Sequence, residues 1–107
     1  MRLHERFEWD AAKAKANLAK HGVAFEDAAA ALADEFADRF HVEHHDAAHS
    51  GDEDRFVTMA SDPQDRSIVY TIAWTERGDK QELVTRIISA RMANKTERRS
   101  YEQAVQW

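Results

Sequence analysis

The sequence predicts an α+β fold: two N-terminal helices, a four-stranded antiparallel sheet and a C-terminal helix. Three observations predict it. The first third is rich in alanine and lysine with a helical punctuation. The middle alternates apolar and polar residues at the period of a strand, most clearly in "SIVYTIAWT" (67–75). The end returns to a helical pattern after Asn94, where Asn94 and Glu97 have the N-x-x-E spacing of a capping box. At 107 residues the chain fits one domain, 1–107.

Each element follows in order. Residues 10–21, "DAAKAKANLAKH", read as a helix with Asp10 as N-cap and Gly22 as its stop. A second helix runs from Phe25 to about Glu35, with Phe25, Leu32 and Phe36 as its larger anchors. The short loop between them sets the pair antiparallel or sharply angled. "FADRFHVEHH" suggests a first strand around 38–44, followed by a polar loop, "DAAHSGDED". The second strand is 55–61, closed by a turn that holds the one proline, Pro63. The third is 67–75, with Ile68, Tyr70, Ile72 and Trp74 on one face and Val69, Thr71, Ala73 and Thr75 on the other. Gly78 turns the chain into the fourth, 83–91. Short connections favour an antiparallel meander. Phe7, Trp9, Phe25, Trp74 and Trp107 read as packing residues.

Composition excludes some function classes. There is no cysteine, which removes disulfides and thiolate metal sites. No apolar run is long enough to span a membrane and nothing resembles a signal peptide, so a cytoplasmic protein is expected. Net charge is −5 but is unevenly spread. Residues 1–66 carry −7, residues 67–83 carry −1 and residues 84–107 carry +3. A basic end on an acidic body points to one local anion site rather than a nucleic-acid-wrapping surface; a solvated helix face is the plainer alternative.

The stretches "FEWDAAKAKANLAKHGVAFEDA" (7–28), "HSGDEDRFVTM" (49–59), "TERGD" (75–79) and "RIISARMANKTERRSYE" (86–102) follow one another in this order. Together they resemble the BrnT family of bacterial toxins, whose fold is related to the RelE-type ribonucleases. The combination of "FEWD", "KHGV" and "RIISAR" is the specific part. Ala11 stands where proline is usual, and Ala24 where a serine commonly caps the second helix, at a cost of ~1 kcal/mol of capping. The turn "GDKQELV" is longer than usual. The resemblance implies a metal-independent endoribonuclease that halts translation. It also implies a cognate BrnA-like ribbon-helix-helix antitoxin, through which alone the complex would meet a DNA operator.

Cleaving RNA without a metal requires deprotonating the 2′-OH, stabilising the pentacoordinate phosphate and protonating the 5′-oxygen. A guanidinium fork suits the second task. Arg86, Arg91, Arg98 and Arg99 flank the end of a strand and the start of a helix, whose N-terminus adds partial positive charge. Arg86 and Arg91 are five apart, so they share a face only if the strand bulges or ends between them. The alternative is that Arg86 pairs with an acid across the sheet and Arg98 and Arg99 are solvated. For acid–base roles the candidates are Lys20, His21, Glu53, Arg55, Glu76, Arg77 and Tyr101. His21 also suits a plain helix C-terminus. Arg55 and Arg77 are candidate substrate contacts; Tyr101 either stacks on a base or packs on the sheet. "HVEHHDAAH" (41–49) invites a metal reading, but His44 falls on the opposite face from His41 and His45, and no H-E-x-x-H is present. No metal or cofactor is expected. Two other readings stay open: an inactive module that only binds an antitoxin, and a small-ligand or metal-binding protein.

Overall fold

The computed structural model describes residues 6–34, 36, 40–46, 54–78 and 82–105. The architecture is α+β, with three helices and a five-stranded sheet among the described residues. In chain order the elements are β1 (Phe7–Glu8), α1 (Ala11–His21), α2 (Phe25–Leu32), β2 (His41–His45), β3 (Arg55–Ser61), β4 (Val69–Arg77), β5 (Val84–Met92) and α3 (Lys95–Val105). The sheet order is β1-β5-β4-β3-β2.

The expected four strands are therefore corrected to five. β1 is only two residues long and pairs parallel with β5, Phe7 with Thr85 and Glu8 with Arg86. Such a short strand has no period to read. Its pairing comes from a strand nearly eighty residues away. The other pairs are antiparallel, as a meander requires.

The helix boundaries follow local chemistry. Asp10 accepts a hydrogen bond from Lys13 N at 2.9 Å, and Gly22 ends α1 in the left-handed region at φ 71°. α2 starts at Ala24 without a side-chain cap and ends at Leu32. It is shorter than expected, and Phe36 is not a core anchor: it is 53% exposed, edge-on to Phe40 at 6.5 Å. β4 starts two residues later than expected. The carboxylate of Asp65 holds the Ser67 N–H at 3.0 Å and the Ser67 hydroxyl at 2.6 Å, which keeps 62–68 in a turn. Gly78 has φ 97°, and a Cβ there would meet the Glu82 carbonyl oxygen at 2.0 Å, so the β4–β5 turn depends on glycine.

The sheet buries its two faces differently. On the first, α2 packs Phe25, Ala28, Ala31 and Leu32 against Tyr70, Ile72, Trp74, Ile87 and Ala90, with Ala14 of α1 partly buried beside them. Trp9 meets Phe25 edge-on at 5.9 Å, and Phe56 stacks on Trp74 at 4.7 Å. Phe7 and Trp9 pack partly buried against this core, as expected of anchors; Trp107 lies outside the described residues. α1 also closes the edge of β5 beyond the short β1. The Asn17 amide donates to Ala90 O at 2.7 Å and Val23 O at 2.9 Å and accepts from Ala90 N at 3.1 Å, so a side chain stands in for a strand. On the second face, α3 sets Tyr101 against Met59 and Val69, with Val42, Ala93 and Val105 around them. That cluster covers one end only.

Candidate functional site

The second face is where the arginines meet. β4 fixes its parity: Tyr70, Ile72 and Trp74 face α1 and α2, so Thr71, Ala73, Thr75 and Arg77 face the other way. Register then assigns the neighbours. Arg55 is opposite Thr75 and Val57 opposite Ala73. Arg86 is opposite Thr75 on the other side, and Arg91 opposite Thr71. β5 carries one extra residue between these points: Trp74 pairs with Ile87 and Ala73 with Ser89, leaving Ile88 as a bulge. The bulge resolves the parity problem, because it returns Arg91 to the face that holds Arg86.

One row across the sheet reads Arg55, Thr75, Arg86, Glu8. Arg77 lies one same-face position further along β4. Adjacent strands are ~4.8 Å apart, so Arg55 and Arg86 are separated by roughly 10 Å at the backbone. The polar groups in the row are themselves anchored. Thr75 Oγ1 donates to Asp54 O at 2.5 Å, and Arg86 is bonded to Glu8.

Arg91 does different work. Its fork grips Glu97 at 2.6 and 2.8 Å. The same Glu97 carboxylate accepts from Asn94 N at 2.9 Å, while Asn94 Oδ1 accepts from Glu97 N at 2.8 Å. This is the expected capping box, with an arginine added. The hydrogen bond to Arg91 is the largest influence on Glu97 and, against the opposing effect of burial, holds its carboxyl below the usual range. The same bond raises the pKa of Arg91.

The remaining candidates scatter. Arg98 reaches the Ser67 carbonyl and lies 3.3 Å from Glu102. Arg99 is exposed on α3. Tyr101 is fully buried and donates to Phe40 O at 2.8 Å, so it packs rather than stacks on a base. Lys20 and His21 end α1, which packs on the first face and along the β5 edge; the structure does not bring them into the arginine row. Glu76 has the opposite parity from Thr75, and Glu53 lies outside the described residues. In the histidine stretch, His41 donates to Ala31 O at 2.7 Å and His45 is 3.1 Å from Asp54. His44 points to the other face, as expected, and His49 lies outside the described residues. Among the described residues, no group of three or more metal-ligating side chains is gathered.

The family model described as "Ribonuclease toxin, BrnT, of type II toxin-antitoxin system" matches residues 9–97. The chain belongs to the BrnT family. A search of curated proteins finds no match. Membership makes the chain a ribonuclease toxin of a type II system, with an antitoxin as partner and RNA as target. No described helix is long and apolar enough to cross a membrane. One residue escaped the sequence reading altogether: Glu8, the acid that faces Arg86. "FEWD" named the segment, but only the parallel pairing of β1 with β5 puts Glu8 in the row.

Proposed function

We propose that this BrnT-family chain is a single-domain, metal-independent endoribonuclease of the cytoplasm, which cuts RNA, arrests translation and is held silent by a BrnA-like ribbon-helix-helix antitoxin. The observation that carries the reading is the row Arg55–Thr75–Arg86–Glu8 with Arg77 beside it, on the part of the sheet face that α3 leaves uncovered. Arg86 and Arg55 take opposite sides of the scissile phosphate, and Arg77 takes a neighbouring one. Guanidinium groups match phosphate oxygens in pairs and stabilise charge that grows in the transition state. Arg91 belongs to the frame, fixing the junction from which α3 leaves the sheet. Arg98 and Arg99 extend the basic surface beyond it, and Lys20 and His21 stand outside the row, in the last turn of α1.

No metal is needed, because the attacking oxygen is the neighbouring 2′-OH. The test is purified protein and a defined RNA in EDTA, with product ends identified by mass. The expected ends are a 2′,3′-cyclic phosphate and a 5′-hydroxyl. A divalent-ion requirement, or 5′-phosphate ends, overturns the mechanism. Adding the antitoxin abolishes cleavage and moves both proteins into one gel-filtration peak; a toxin that elutes alone and stays active counts against the partner.

A second reading has one observation in its favour. Arg86 and Arg91 are both already paired with carboxylates, which suits a chain that binds its antitoxin without cutting. It predicts a stable complex and intact RNA in the same assay.

A further inference from the structure

The geometry points to Glu8 as the general base of the cleavage, the group that takes the proton from the ribose 2′-OH. This rests on the ribonuclease reading above and adds to it the proton acceptor that the arginines themselves lack.

The second sheet face holds one candidate proton acceptor among its described strand residues. Its described strand residues are Glu8; Val42 and His44; Arg55, Val57, Met59 and Ser61; Val69, Thr71, Ala73, Thr75 and Arg77; and Val84, Arg86, Ser89 and Arg91. Glu8 is the sole carboxylate among them. Arginine remains protonated in proteins and cannot accept a proton at neutral pH. His44 is on β2, four strands from Glu8 and two from the Thr75 position, so it stands apart from a phosphate held at Arg86.

Glu8 is placed by pairing rather than by chance of a long side chain. Its backbone is fixed opposite Arg86 in the β1–β5 ladder, and its carboxylate is bonded to the Arg86 guanidinium. It is also 41% exposed, against 28% for Arg86, so a substrate can reach it. Arg6, two residues earlier, pairs with Glu82 at 3.9 Å, and Asp10, two residues later, is occupied capping α1.

The step then follows. An arriving phosphate competes for the Arg86 fork and releases the carboxylate of Glu8 beside the adjoining ribose. Glu8 accepts the 2′-OH proton as the 2′-oxygen forms its bond to phosphorus. The bond from phosphorus to the 5′-oxygen breaks, and that oxygen takes a proton from solvent water. Arg86 holds the non-bridging oxygens throughout. The products are the cyclic phosphate and a free 5′-hydroxyl.

The test is single-turnover cleavage of a defined RNA in EDTA across a pH series, with RNA affinity and thermal unfolding measured on the same samples. In the parent protein the rate falls on acidification. In Glu8→Gln the side chain still accepts a bond from Arg86 but no longer takes a proton. The rate is expected to fall about 10²–10⁴-fold, the usual contribution of a general base, and the dependence on acidification to vanish, with RNA affinity no lower than the parent's, because the phosphate no longer displaces a charged partner from Arg86, and with unfolding unchanged. Glu8→Ala is expected to recover part of its rate in added formate, a small carboxylate that fits the space left. A Glu8→Gln enzyme that keeps the parent's rate or its acid limb overturns the proposal. So does a folded Glu8→Ala that formate does not rescue, which would leave Glu8 as a positioning residue for Arg86. A parent protein that leaves RNA whole sinks the ribonuclease reading itself, and this inference with it.

Discussion

The two arginine–carboxylate pairs of the second sheet face share chemistry but not construction. Arg91 and Glu97 are six residues apart, and their bond is locked into the capping box that starts α3. Every arm of that carboxylate is committed. Arg86 and Glu8 are seventy-eight residues apart and meet through a two-residue strand at one side of the sheet. Their bond caps nothing and borders the part of the face that α3 does not cover. In the proposed reading the difference separates scaffold from site: a guanidinium that completes a helix start is costly to redirect, while one facing a lone carboxylate can exchange that partner for a phosphate.

The largest effect should come from the Arg86 side. Arg86→Ala should lower cleavage by roughly 10²–10³, about 2.7–4 kcal/mol of transition-state stabilisation by analogy with a lost oxyanion-hole donor, with thermal unfolding nearly unchanged. Arg86→Lys should recover little, because a point charge does not replace a fork. An Arg86→Ala protein that unfolds far below the parent would erase the contrast between the pairs.

Next in size is Asn17→Ala, which tests the frame beside Arg91. Removing the amide leaves the Ala90 N–H and two carbonyls short of partners in a buried place. A loss of about 1–3 kcal/mol is expected, read as a lowered denaturant midpoint. Unchanged stability would mean that the edge of β5 needs no cover.

Glu97→Ala should be milder. It deletes half of the capping box and the partner of Arg91, both half-exposed, for about 1–2 kcal/mol. The lost stability should appear in a melting curve while the residual rate per folded molecule stays near that of the parent. Loss of rate without loss of stability would move Arg91 from the frame into the site.

The smallest effect is in pH. The Glu97 and Asp34 carboxyls are both held below their ordinary values of 4.5 and 3.8. For Asp34, burial works against this, and the bond to Arg66 at 2.5 Å and the Phe36 N–H outweigh it. Such groups release protons more readily in the folded state, so their contribution is full above those values and fades as pH falls through the lower folded ones. Glu97→Gln should flatten the part of an acid-denaturation curve that lies below about pH 4.5. An identical curve would show that the Arg91 bond is worth nothing to folding.

Much of the fold is legible in the sequence. Asp10, Gly22, Asn94 with Glu97, and Gly78 act locally, and each did what its residue type and spacing foretold. The alternation of 68–75 gave both the faces and, through them, the core. What escaped was set by distant partners. β1 is too short to have a period, and Asn17 looks like any polar residue in a helix until it is found at Ala90. The bulge at Ile88 was stated only as a condition for Arg86 and Arg91 to agree, because "RIISAR" carries no glycine or other mark of a bulge. The proposed site was legible as a list of arginines. Its assembly into a row, and the carboxylate that completes it, depend on strand pairing across the whole chain.

That pairing also orders events in time. β5 lies between β4 and β1, so the last strand to be synthesised is the one that joins the first to the rest. While a ribosome is still making the chain, Glu8 has emerged with no Arg86 to meet, so neither of them has joined the row. A ribonuclease toxin built in this order lacks the proposed site while it is nascent: the ribosome finishes nearly all of the molecule before Arg86 and Glu8 can meet.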